Sequence, residues 1–138
     1  MVLSGLEGIA LLLARILFGG VLAFTGLNHF MQTEQMAGYA QHKGLPAPTL
    51  SVLGSGALLV LGGLSIITGV LPVVGALVLA GFLVVSALTM HDFWAVPEDQ
   101  QQTEMTQFLK NIALAGGALA ISVLGSTPWA LSLGIRLF

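Results

Sequence analysis

A chain of 138 residues holds one domain of ordinary size, and in this one 56% of residues are hydrophobic while only 7% are charged. A soluble domain carries roughly 25% charged residues, so a chain with mean hydropathy +0.97 lacks the polar surface to face water on all sides. The net charge of −2 gives no footprint for nucleic acid, and the absence of cysteine excludes disulfide frameworks, thiolate metal sites and CxxC relays within the chain.

The pattern predicts an all-α membrane protein: a bundle of four transmembrane helices with a short interfacial segment after the first. Segment one runs from about residue 6 to 31, long enough to cross a hydrocarbon core of ~30 Å. It does not read as a signal peptide, because no Lys or Arg precedes it and Glu7 stands at its start. Gly8, Arg15, Gly19, Leu22, Gly26 and His29 fall on one helical stripe. Small residues on such a stripe let a neighbouring helix approach closely.

Gln32 to Pro48 is the first polar stretch. Its beginning suits a short amphipathic helix with Met36, Tyr39 and Ala40 inward, and Gly44-Leu45-Pro46-Ala47-Pro48 ends it. Segment two follows over about 49–69, with Thr49 or Ser51 as candidate caps and a small stripe of Ser51, Ser55, Leu58, Gly62, Ser65 and Gly69. The tight turn Gly69-Val70-Leu71-Pro72 makes segment three, about 72–92, run antiparallel to segment two. Segment three stops on His91 and Asp92, with Trp94 beyond, as an apolar helix does at a membrane–water boundary. A polar loop over 93–103 leads to segment four, about 104–125, whose face of Glu104, Gln107, Asn111, Ala115, Ala118, Ser122 and Gly125 is polar first and small further in. Thr127-Pro128 interrupts it, and Trp129 to Phe138, with Arg136, reads as an interfacial or kinked helical tail.

Four passes place both ends of the chain on one side, with the tight turn, and both polar loops on the other. These are called the turn side and the loop side below. Asn28, His29, His91, Asp92, Lys110 and Asn111 then converge at the loop side. The loops there are net acidic, from which the termini are expected to be cytoplasmic.

His91 and Asp92 are adjacent, so on a helix their side chains diverge by about 100° and each meets a different helix. As candidate catalytic groups they would handle protons, since imidazole titrates near neutral pH and a carboxylate beside it can fix its tautomer. The structural alternative is an Asp92–Lys110 ion pair pinning segments three and four, with Asn111 in the same cluster. His29 and His91 could share a cavity, but no i,i+4 His pair supports a metal site. Arg15 lies roughly 13 Å into its helix, and facing lipid there would cost between ~2.5 and more than 10 kcal/mol. It must face the bundle, with Ser65, Ser122, Thr25, Glu7, backbone carbonyls or a ligand's oxygens as partners. Trp94 and Trp129 are expected as interface anchors, and Trp94 could also wall an aromatic ligand.

Ala14 to Phe30 (ARILFGGVLAFTGLNHF), Lys43 to Pro48 (KGLPAP), Gly56 to Gly69 (GALLVLGGLSIITG), His91 to Trp94 (HDFW) and Phe108 to Leu119 (FLKNIALAGGAL) follow one another along nearly the whole chain. As an ordered set they resemble the DoxX family of small membrane proteins. The resemblance implies a four-helix bundle in the plasma membrane of a prokaryote. It also implies membrane redox chemistry, including quinone-coupled oxidation of sulfur compounds, and complexes with soluble redox enzymes. Arg15, His91, Asp92, Lys110 and Asn111 occupy the family's recurrent polar positions, while many relatives carry a Glu in the second helix where Leu59 stands here. The expectation is therefore an accessory membrane subunit of a quinone-linked oxidoreductase. His91 and Asp92 would exchange protons, and Arg15, His29, Trp94, Lys110 and Asn111 would hold a quinone-like or other lipid-soluble ligand. Membrane lipids, a second copy of the chain or a soluble redox protein are the expected partners. The competing expectation is a non-catalytic scaffold or docking protein.

Overall fold

A computed structural model describes residues 5–135. Its helices are α1 (Gly5–Met31), α2 (Thr33–His42), α3 (Pro48–Thr68), α4 (Pro72–Met90) and α5 (Glu98–Leu124), with a 3-10 turn at Phe93–Ala95. Among them α1, α3, α4 and α5 are long and apolar enough to cross a membrane. A helix is the form in which an apolar segment satisfies its own backbone in lipid. Leu6, Leu17, Leu61 and Val123 stand exposed on the outer faces, where acyl chains rather than water suit them.

α1 packs on α3, α4 packs on α5, and α3 meets α4 through the centre. The buried residues of α1 are Gly8, Arg15, Gly19, Leu22, Gly26 and His29, the stripe expected from spacing. A Cβ on Gly19 would lie 2.5 Å from the carbonyl oxygen of Gly63, and one on Gly26 would lie 2.6 Å from that of Gly56. The two backbones therefore touch directly, and these small-residue contacts lie within one chain. Leu22, Leu59, Ile66, Leu79, Leu83, Ala118 and Ile121 fill the core.

On α3 the buried set is Val52, Gly56, Leu59, Gly62, Gly63 and Ile66, so the expected stripe through Ser51, Ser55 and Ser65 is displaced. Those hydroxyls are only partly buried and bond nearby carbonyls at Pro46, Val52 and Val70. Pro48 and Pro72 each begin a helix, where a missing N–H costs nothing. The residues before them, Ala47 (φ 44) and Leu71 (φ 49), are left-handed N-caps without side-chain caps, so neither Thr49 nor Ser51 caps α3.

Three boundaries differ from expectation. α4 ends at Met90, leaving His91 as its C-cap and Asp92 beyond it. α5 begins at Glu98 behind Pro97, so most of the expected polar loop forms its first turns, with Glu98 and Asp99 favoured by the positive end of the helix dipole. Residues 125–135 form turns rather than a helical tail, and Arg136 lies outside the described residues. α2 roofs the loop side, packing Ala37 and Ala40 on Val52, with Met36, Leu45 and Met90 around them.

Candidate functional site

Two polar centres occupy opposite ends of the bundle. At the turn side Arg15 is fully buried. Its Nε donates to the Ile66 carbonyl at 3.1 Å, Nη1 to Ala130 at 3.0 Å, and Nη2 to Ile67 at 2.5 Å and Leu131 at 3.1 Å. The last carbonyls of a helix have no partner within it. At the end of α3 the Ser65 carbonyl accepts from Gly69 N–H at 2.9 Å and Thr68 accepts from Leu133 N–H at 2.7 Å. Arg15 completes the two between. Its guanidinium carbon lies 5.0 Å from the Trp129 ring centroid, and Trp129 Nε1 donates to the Leu124 carbonyl at 2.9 Å. The structure thus keeps Arg15 apart from His91, and Trp129, 8% exposed, is a buried platform for it rather than an interface anchor.

At the loop side Lys43, the C-cap of α2, pairs with Asp92, their side chains 9% and 25% exposed. His91 Nδ1 lies 3.0 Å from Glu104 Oε2. Glu104 Oε1 lies 3.1 Å from the Tyr39 hydroxyl, which is 3.2 Å from the Met90 carbonyl. Lys43 Nζ stands 5.6 Å from the Tyr39 ring centroid. Five titratable side chains thereby knit α2, the end of α4 and α5 together. Burial disfavours the Lys43 ammonium, but the hydrogen bond to Asp92 and the charges of Tyr39, Asp92 and Glu104 outweigh it and raise its pKa above the ordinary lysine value. Burial, with the hydrogen bond and charge of Glu104, pushes the Tyr39 phenol up as well.

The expected Asp92–Lys110 pair does not form. Lys110 is exposed and donates to Gln107 Oε1 at 2.6 Å on its own helix. Because α4 ends before His91, the chain turns and presents Asp92 to α2 while His91 reaches α5. The two do meet different helices, as their adjacency predicted, but Asp92 finds Lys43. Asn111 is 6% exposed and makes no hydrogen bond to this cluster. It stands seven residues after Glu104 on the same face of α5, about 10 Å further into the bundle. No described side-chain nitrogen or oxygen is both sealed from solvent and unpartnered. The Asn111 amide, with no hydrogen-bond partner among the described residues, therefore keeps an opening.

His29 is 9% exposed on α1, with Nδ1 2.8 Å from the Thr25 carbonyl. A carbonyl only accepts, so that nitrogen carries the hydrogen and Nε2 is left as an acceptor. Trp94 is 55% exposed and meets Phe93 and Phe108 edge to face at 5.2 and 5.7 Å, a placement that suits an interface anchor. An outward-facing apolar groove of about 460 Å³ between α3 and α4, lined by Leu58, Leu61, Leu64, Val74 and Val78, lies away from this cluster.

Lys43, Tyr39 and Glu104 are the site members that spacing did not assign. Glu104 left a signal in the polar face it shares with Asn111. Lys43 left none, since its partner is fixed by how α2 folds back.

The DoxX family model matches residues 10–92, more than half of the chain. The chain belongs to the DoxX family. Among curated proteins and solved structures, none matches it. With four apolar spans, this DoxX chain is a multi-pass integral membrane protein. The match ends at Asp92, so this DoxX protein draws Glu104, Lys110 and Asn111 from beyond the matched region.

Proposed function

We propose that this chain is a redox-associated membrane subunit that binds the head group of a quinone-like, lipid-soluble ligand at its loop side. The observation that carries the reading is Asn111, a largely buried residue whose amide keeps an opening and has no hydrogen-bond partner among the described residues, on the face of α5 that also carries Glu104, the partner of His91. That opening lets the amide take a ligand oxygen, and one such hydrogen bond contributes about 1 kcal/mol. The donor set fits such a group. Asn111 donates to a ligand carbonyl, His29 accepts from a ligand hydroxyl, and His91 exchanges its proton. Asp92, neutralised by Lys43, holds the segment that carries His91, while Lys110 and Trp94 flank the head group from the boundary. Arg15 is committed to carbonyls at the other end and takes no part. A quinone bound there supplies two-electron, two-proton chemistry, and a soluble redox partner supplies or removes the electrons.

In this reading the protein lies in the plasma membrane of a prokaryote with the turn side in the cytoplasm, as the acidic loop side suggests. A non-catalytic scaffold is the second reading, favoured by the way Arg15 and the Lys43–Asp92 pair use their polar groups on partners within the chain. Extraction of lipids from the purified protein separates the two. Ligand binding predicts a quinone in near-stoichiometric amount that is depleted from a folded Asn111→Leu variant. No quinone, or equal amounts from both proteins, favours the scaffold.

A further inference from the structure

We infer that Glu104 and Tyr39 are positioning residues for His91, holding its imidazole in the Nδ1–H form and leaving Nε2 as the nitrogen that exchanges a proton. The role, though not the geometry, rests on the function proposed above.

His91 has a carboxylate beside it in sequence, but Asp92 is engaged by Lys43. Glu104 reaches it instead from α5, with Oε2 3.0 Å from Nδ1. An ionised carboxylate only accepts hydrogen bonds, so Nδ1 must bring the hydrogen. A neutral imidazole has one N–H, and placing it on Nδ1 leaves a bare lone pair on Nε2.

The second oxygen of Glu104 is also held. Oε1 lies 3.1 Å from the Tyr39 hydroxyl, whose one hydrogen has Glu104 and the Met90 carbonyl at 3.2 Å as acceptors. The carboxylate is thus fixed by α2 on one oxygen and by the segment after α4 on the other. It cannot rotate without losing one of them. The His91 and Glu104 side chains are 21% and 14% exposed, which shelters their bond from competing water. The remaining charges facing this group are Lys43 and Asp92, and they are paired with each other. Glu104 is the carboxylate left to serve the imidazole.

The consequence is chemical. When a ligand hydroxyl gives its proton to Nε2, its O–H bond breaks, an N–H bond forms, and no electron changes hands in that step. The imidazolium then keeps its Nδ1–H on Glu104, which stabilises the charge as a carboxylate behind a general base does.

Nitrogen NMR of 15N-histidine-labelled protein in lipid nanodiscs tests this without any ligand. The chain has three histidines, and a His91→Gln variant assigns the relevant signals. In the neutral form, read at alkaline pH, His91 should show a protonated Nδ1 and a bare Nε2. Glu104→Gln should shift it towards the Nε2–H form, because an amide can offer a donor to Nδ1 as readily as an acceptor. Tyr39→Phe, which removes only the hydroxyl, should produce a smaller shift in the same direction. His29, held by its own helix, should not respond. A wild-type His91 in the Nε2–H form overturns the inference whether or not either variant folds, and so does an unchanged pattern in folded Glu104→Gln. The Nδ1–H form without any quinone bound to the purified protein would sink the proposed function and leave this assignment standing. Quinone bound to a protein whose His91 is Nε2–H would do the reverse.

Discussion

Lys43 and Asp92 pair across the loop side, joining the end of α2 to the segment after α4. The pair is partly buried, so leaving either charge alone should cost more than losing both. Lys43→Met and Asp92→Asn should each destabilise the protein by about 1–3 kcal/mol, and the double variant should lose clearly less than their sum. Lys110→Met, which disturbs only an exposed bond to Gln107, should change stability little. Melting of the four variants in detergent measures the coupling, and strict additivity for Lys43 and Asp92 would contradict the pairing.

The same cluster sets an alkaline limit. The folded-state values of Lys43 and Tyr39 are both raised. A raised value means that the stabilisation is fully present below the unfolded values of ~10.4 and ~10 and is lost as pH rises through the folded ones. The contribution of these two groups should stay constant from pH 7 to about 9 and fall above about 10.5. Melting temperature followed against pH checks this, with a Lys43→Met/Tyr39→Phe variant expected to lose the part of the alkaline fall that they cause.

Arg15 closes α3 and fastens residues 130 and 131 to it. Arg15→Met strips partners from buried carbonyls and should cost about 3 kcal/mol or more. Arg15→Lys should restore little, because a point ammonium cannot reproduce a planar fork aimed at four carbonyls. Hydrogen exchange should show faster exchange at Leu133 and Gly69 in both variants while the loop-side helices keep their protection. Wild-type protection at those two amides would show that the clasp does not depend on the guanidinium.

Much of this bundle was legible where one strong period ran unbroken. The α1 stripe from Gly8 to His29 is the buried set, because Gly19 and Gly26 on that face let the α3 backbone approach directly. On α3 the same reasoning misplaced the face. In an apolar helix a serine hydroxyl can bond a neighbouring carbonyl, as Ser55 does to Val52, so it does not mark the interior. The helical start at Glu98 was available from Pro97 followed by two acids. The Lys43–Asp92 pair was not, because it depends on where α4 stops and how α2 lies over the bundle, and neither follows from spacing along one helix. Glu104 and Asn111 stood on one predicted face, yet only the fold assigns His91 to the first and leaves the second without a hydrogen-bond partner among the described residues.

The close approach of α1 and α3 gives a paired test. Gly19→Ala would set a methyl 2.5 Å from the Gly63 carbonyl oxygen, a backbone atom that cannot rotate away. A loss of about 1–3 kcal/mol is expected from such overpacking. Gly20→Ala meets nothing within 4 Å and should be neutral or slightly stabilising, since alanine favours the helix. Thermal melting of both variants in detergent compares them, and equal effects would mean that α1 does not pack on α3 through this face.

The loop-side ligand site is tested most directly by tryptophan fluorescence. The chain has two tryptophans, and Trp129 stacks under Arg15 at the far end, so Trp129→Phe leaves Trp94 as the reporter beside Phe108. Titration of this variant in nanodiscs with a short-tailed benzoquinone should give saturable quenching of Trp94. Adding Asn111→Leu should weaken the apparent affinity by about tenfold, the worth of one well-placed hydrogen bond. Quenching that rises linearly without saturation, and equally with and without Asn111, would mean that the quinone is only dissolved in the surrounding lipid and that the chain has no such site.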